Sequence, residues 1–219
     1  MDNDVTEPAS ADNALRRRLL GIGLGGAAVS LLPFLVGRAS ATTPNSGPTD
    51  SSPASTTTTA PPTRPTADDV TLLGFAQSVE LAARDLYDVA LGTKAFDDNT
   101  RAVIAAIREA HDAYATSLSG LLGRQAPQKA DAMGQDLAST FSGAEDTILA
   151  SAANLESTAV ATHLEILGKL KGTDGAGLLA SILIVEGRHG TVLNYLNGAT
   201  SLDDLLVANE ADALVPAEA

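Results

Sequence analysis

The chain has 219 residues, a formal net charge of −13 and no cysteine, which leaves room for one domain of ordinary size once terminal segments are set aside. Without cysteine there is no disulfide framework, thiolate zinc site, iron–sulfur cluster, thiol nucleophile or lipid-bearing thiol. Lys+Arg 14 against Asp+Glu 27 makes a surface that repels nucleic-acid phosphates. With 4 Phe, 3 Tyr and no Trp, the chain also lacks base-stacking platforms and a membrane-interface belt.

Residues 1–41 read as an export signal: a polar start, Arg16-Arg17-Arg18, an apolar run from Leu19 to Val36, and the small residues Ala39-Ser40-Ala41 at a cleavage position. Consecutive arginines before Leu19-Leu20 and a Gly-rich, moderately apolar run resemble a twin-arginine signal, which exports proteins already folded. The expected location is therefore the cell envelope or the extracellular space. An uncleaved signal, whose apolar run has about the length to span a bilayer, is the one membrane attachment expected. Residues 42–67 are dominated by Ser, Thr, Pro and Gly and contain almost nothing apolar enough to bury, so they read as a disordered linker.

From Asp68 to Gly198 the composition turns to Ala, Leu, Ile and Val with charges at helical intervals. Four helices are expected, roughly Asp68 to Leu91, Asn99 to Leu122, Gly143 to Leu170 and Gly175 to Leu196. Gly92-Thr93, the stretch from Gly123 to Pro127, and Lys171 to Gly175 supply the breaks, with Asp174 a candidate cap for the last helix. Only Gly123 to Gly143 is long enough for a crossover, with room for a short helix around Ala130 to Leu137. Residues 199–219, with Leu202, Leu205 and Leu206, are expected to pack as a C-terminal tail over one end of the bundle.

The second and fourth helices align without gaps, setting Ile107 on Ile182, Thr116 on Thr191, Leu118 on Leu193 and Gly123 on Gly198. Glu80 to His111 spans 31 positions and Glu156 to Glu186 spans 30, so the domain reads as two copies of a helical hairpin. The expected fold is an all-α, up-down four-helix bundle built from those hairpins. Positions at i, i+3, i+4 and i+7 share a helix face, so the inner stripes can be read directly. They run through Leu73, Ala76, Glu80, Ala83 and Tyr87; Ile104, Ile107, His111, Tyr114 and Leu118; Leu149, Ala152, Glu156, Ala159 and His163; and Leu179, Ile182, Glu186, His189 and Leu193. Each stripe is apolar except near its middle, where Glu80, His111, Tyr114, Glu156, Glu186 and His189 form a polar layer.

Three carboxylates on inner faces would repel one another and lose hydration, at a cost of several kcal/mol for each uncompensated ion. Cations are the simplest remedy, and oxygen with imidazole ligands suits iron, manganese or zinc. The bland alternatives are protonation, pairing with Arg84 or Arg188, or a more exposed position than the stripes suggest.

With those residues in view, the sequence resembles the ferritin-like superfamily, specifically exported actinobacterial-type ferritin-like proteins, over about residues 67–198. Ferritin-like carboxylate proteins place a Glu on helices one and three and a Glu-x-x-His pair on helices two and four around two metal ions. Glu80 and Glu156 match the first kind of position and Glu186-Gly187-Arg188-His189 the second. Helix two departs, with His111 where the bridging Glu would be and Tyr114 where the His would be. A register using Glu109 and Asp112 instead turns Glu109 about 160° away from His111. The resemblance implies metal ligation by Glu80, His111, Glu156, Glu186 and His189, with Tyr114 lining the site. The metal expected is iron or manganese, with zinc a third option, as one ion or two. Tyr87 and His163, two turns beyond Glu80 and Glu156, are candidates to orient ligands, or equally core residues. Oxygen or peroxide is the co-substrate expected if the centre is redox-active.

No G-x-S-x-G elbow, phosphate-binding Gly-rich loop or Ser-His-Asp arrangement is legible. A monomer or a homodimer is expected. The rival reading is a metal-free envelope bundle with a decayed site, presenting a surface to a protein partner whose identity the sequence does not give.

Overall fold

The computed structural model describes residues 60–129, 137–205, 211–214 and 216, and all regular structure among them is helical. The expected export signal and most of the linker lie outside these residues, as does the short helix expected near Ala130 except for Leu137. Four long helices form: α1 (Ala67–Gly92), α2 (Asp98–Leu122), α3 (Glu145–Leu167) and α4 (Thr173–Leu196). Their starts have chemical causes. Thr66 accepts from the Asp69 amide while the Asp69 carboxylate accepts from the Thr66 amide, a reciprocal capping box. Asp97 caps α2 through the Thr100 amide. At the α1–α2 turn the Arg101 guanidinium donates to the carbonyls of Leu91 and Thr93, which the end of α1 leaves unpaired. Gly123, with φ +59, takes the chain out of α2 in a conformation that favours glycine.

Each helix packs chiefly against its hairpin partner, α1 with α2 and α3 with α4; α1 also meets α3, and α2 meets α4. The connection between hairpins joins opposite ends of the bundle. Pro127 lies beside Gly74 near the start of α1, whereas Phe141, just ahead of α3, packs edge-on against Tyr87 near its end, with ring centroids 5.9 Å apart. The segment allowed as a crossover by length is therefore one, and the helix directions run up, down, down, up. α1 and α3 are antiparallel, with α4 parallel to α1. One apolar cluster fills the end holding Leu73, Ala76, Leu118, Leu122, Ile166, Leu179 and Ile182. A second apolar set, including Leu86, Ile104, Ile148, Leu149 and the wholly buried Phe141, fills the other end. α4 is long and apolar enough to cross a bilayer by length and composition. In the bundle its stripe through Leu179, Ile182, Glu186 and Leu193 is buried.

Three expectations at the edges need correction. The linker's last residues are placed: the carbonyls of Pro62 and Thr63 accept from the amides of Thr173 and Asp174 at 3.0 and 2.9 Å, satisfying amides that the start of α4 would otherwise leave orphaned. Asp174 consequently lies inside the first turn of α4 and is not its cap. Leu202, in the one-turn helix α5 (Leu202–Leu205), is 78% exposed rather than packed over the bundle, and Leu205 is half-buried. Further along the tail, the Leu214 amide donates to Thr162 Oγ1 at 2.9 Å.

Asp69 does a second job beyond capping. Its carboxylate also accepts from the amides of Lys171 and Gly172, each at 2.9 Å, tying the α3–α4 turn to the start of α1. Burial alone would raise its pKa, but the hydrogen bonds from Thr66, Lys171 and Gly172 outweigh that and hold it below 3.8. Gly172 sits so close to Arg64 that a Cβ would lie 2.7 Å from the Arg64 carbonyl oxygen. Asp69→Ala strands three backbone donors and is expected to cost about 2–4 kcal/mol by denaturant unfolding. Asp68→Ala removes only the exposed pair with Lys171 and should leave the midpoint nearly unchanged.

Candidate metal centre

The four inner stripes meet halfway along the bundle, and the polar layer is as deep as their spacing predicts. Glu80, His111, Glu156, His163 and Glu186 are each at most 1% exposed, so the partly exposed alternative fails. Arg84 pairs instead with Asp85 and Asp112 at the surface, and Arg188 is exposed. His189 and Tyr114 are half-buried and form the solvent side of the layer.

Six side chains alternate carboxylate with imidazole in one continuous chain. His189 Nδ1 lies 3.3 Å from Glu156 Oε2, and Glu156 Oε1 lies 3.0 Å from His111 Nε2. His111 Nδ1 lies 2.7 Å from Glu80 Oε2. Glu80 Oε1 lies 3.3 Å from His163 Nε2, and His163 Nδ1 lies 2.8 Å from Glu186 Oε2. The contact between Glu80 Oε1 and His163 Nε2 lacks hydrogen-bond geometry. Both atoms, together with Glu186 Oε1, are buried without a hydrogen-bond partner.

Tyr87 and His163 are in direct contact with these carboxylates. The Tyr87 hydroxyl donates to Glu156 Oε1 at 2.5 Å, and its ring stacks on His111 with centroids 5.4 Å apart. The hairpin repeat explains the pairing: Tyr87 reaches from α1 to the glutamate of α3, and His163 reaches from α3 to the glutamate of α1. Tyr114 meets the His111 ring edge-on, centroids 6.2 Å apart. Gln77, which the stripe reading misses, is buried one turn from Glu80 and donates through Nε2 to the Ala115 carbonyl at 3.4 Å. Its position between two stripe residues, Ala76 and Glu80, is the one signal that could have found it.

The layer divides into two groups whose ligating atoms lie within 4.8 Å of one another: His111, Glu156 and His189, and Glu80, His111 and Glu186. All five residues expected as ligands belong to one or both. The buried Glu80 and Glu186 oxygens that accept no hydrogen bond, and the mixed oxygen and nitrogen donors, fit a divalent metal ion.

The charges pull in opposite directions within the layer. Burial would lower the pKa of His111, but Glu156 and Glu80 outweigh it and carry the group well above 6.5. His163 is raised in the same way, burial opposed by Glu186 and Glu80. Burial would raise Glu156, yet His111 and His189 hold it far below 4.5. Glu186 has one facing imidazole, and burial, with Glu80 and Glu156 adding to it, pushes it from 4.5 up to about 7. Tyr87 is driven well above 10 by burial and then by Glu156, and Tyr114 is raised by burial and then by Glu80, Glu186 and Glu156.

The family model for the ferritin-like domain matches residues 68–199, a span covering all four long helices, and the chain belongs to that family. No curated protein and no solved structure matches it. In the polar layer α1 and α3 each present one glutamate, Glu80 and Glu156, α4 presents Glu186-Gly187-Arg188-His189, and α2 presents His111 and Tyr114 rather than a Glu-x-x-His pair.

The shifts fix how the metal-free protein responds to pH. His111, raised on folding, stabilises fully below about 6.5 and loses that contribution as pH rises through its folded pKa. Glu156, lowered, stabilises above about 4.5 and loses that as pH falls through its folded pKa. Glu186, raised, imposes a penalty that grows between 4.5 and about 7. Chelator-treated protein should therefore melt highest between about pH 4.5 and 6.5 and decline toward pH 8, with a shallower alkaline decline in Glu186→Gln. A melting temperature still rising at pH 8 would contradict these assignments.

Proposed function

We propose that the protein is an exported ferritin-like metal-binding protein whose polar layer holds one or two transition-metal ions, iron or manganese before zinc. Glu80, Glu156, Glu186, His189 and His111 are the ligands. The observation that carries this reading is the pair of buried carboxylate oxygens that accept no hydrogen bond, Glu80 Oε1 and Glu186 Oε1, among carboxylates and imidazoles already converging on one another. A buried acceptor without a partner costs about 1–3 kcal/mol, more when charged, and a cation would remove that cost at both atoms together.

Such an ion, with a coordination position left open, supports redox chemistry with oxygen or peroxide. The chain's own contribution is to exclude water, to orient Glu156 through the Tyr87 hydroxyl, and to leave the His189 and Tyr114 side as the way in. Export by the twin-arginine route rests on Arg16-Arg17-Arg18, the apolar run and Ala39-Ser40-Ala41, and suits a protein that acquires metal before it leaves the cytoplasm.

A second reading has its own observation. Three imidazoles alternate with three carboxylates, so full protonation of the former would neutralise the layer without metal. The protein would then be an envelope module whose binding surface, not its core, carries function. Elemental mass spectrometry of untagged protein purified without chelator separates the two. Near-stoichiometric iron, manganese or zinc in the native chain, falling at least tenfold in Glu186→Ala and His189→Ala, is the expected result. Metal at background after loading with iron(II) or manganese(II) would favour the metal-free module.

A further inference from the structure

The two groups of ligating atoms share one residue, His111, and its two nitrogens face carboxylates of different groups: Nε2 faces Glu156 at 3.0 Å and Nδ1 faces Glu80 at 2.7 Å. Resting on the metal-binding reading above, we propose that His111 is a bridging ligand. One ion lies on its Nε2 side with Glu156 and His189, and a second on its Nδ1 side with Glu80 and Glu186. A bridge of this kind needs a ring aimed at both groups and held there. The Tyr87 ring stacks on His111 within 19° of parallel, Phe141 buttresses Tyr87 from behind, and Tyr114 closes the edge.

Charge supports the same assignment. Four carboxylates in the family's usual set balance two divalent ions, and this chain keeps only Glu80, Glu156 and Glu186. When both nitrogens of His111 bind metal, the ring's remaining N–H proton leaves to solvent and an imidazolate remains, with a lone pair at each nitrogen. Its single negative charge replaces the missing carboxylate, so three carboxylates and the imidazolate balance two divalent ions when His163 is neutral. Glu80 and Glu186, which with His111 form the second group, each also have a buried carboxylate oxygen that accepts no hydrogen bond. The substitution on α2 thus changes the kind of bridge and keeps the two-ion arrangement.

The consequence is a distance. An imidazolate bridge, with two metal–nitrogen bonds of about 2.0–2.1 Å on either side of the ring, sets the ions on the order of 6 Å apart. Two-metal centres joined through shared oxygens hold them about 3.5–4 Å apart. The test is an anomalous-scattering map from crystals of the full chain loaded with cobalt(II), with cobalt content measured on the same preparation in solution. Two peaks on the order of 6 Å apart flanking His111 are expected, by the bond lengths above. In His111→Glu, two ions should remain but draw together to about 3.5–4 Å. Should that variant not fold, the native map decides alone. Two native peaks at about 3.5–4 Å, or a single peak, would overturn the bridge and leave metal binding intact. No cobalt at all would overturn both.

Discussion

Five ionisable side chains share a layer in the middle of the bundle from which water is excluded, and much of the domain's arrangement answers that one fact. Isolated charges at such a depth cost several kcal/mol each, so Glu80, Glu156 and Glu186 can coexist only if something neutralises them. The alternating contacts with His111, His163 and His189 supply counter-charges, yet Glu80 Oε1 and Glu186 Oε1 still accept no hydrogen bond. Apolar layers above and below prevent the carboxylates from relaxing toward solvent. Hairpins that pack tightly within themselves each bring together two helices that contribute to the layer, and the α1–α3 and α2–α4 contacts close it.

Holding that layer in register is the task of contacts far from it. Asp69 gathers amides from Thr66, Lys171 and Gly172, residues about 100 positions apart in sequence, and so fixes the start of α1 against the turn between α3 and α4. Pro62 and Thr63 add their carbonyls to the first amides of α4. A shift of α4 by one residue would turn Glu186 by about 100° away from the layer, so these end contacts and the central chemistry are coupled through helix geometry.

Helical periodicity and the internal repeat made the four helices, their boundaries to within a few residues, and the burial of Glu80, His111, Glu156 and Glu186 legible in the sequence. The direct roles of Tyr87 and His163 were not. Seven residues along a helix is about 10.5 Å, and spacing alone leaves them well beyond their own glutamates. Only because α1 and α3 run antiparallel does each lie beside the glutamate of the other helix. That direction depends on the crossover, whose length permits but does not dictate it. Phe141, buried behind Tyr87, belongs to the same crossover and has no periodic pattern to reveal it. The clamp by Asp69 and the ordered end of the linker escaped for a related reason. They are pairings between distant segments made largely through backbone groups, which carry no compositional signature.

Whether the central layer is completed by metal or balances itself with protons is most directly decided by thermal unfolding of chelator-treated full-length protein as iron(II) or manganese(II) is titrated back at pH 7. A melting temperature that climbs with metal concentration, reaching about 2.7 kcal/mol of added stability at a hundredfold excess over the dissociation constant, is the expected result. A melting temperature indifferent to both metals, in a protein that Glu186→Ala leaves unchanged or makes more stable, would contradict the metal centre and identify the imidazoles as the layer's own counterions.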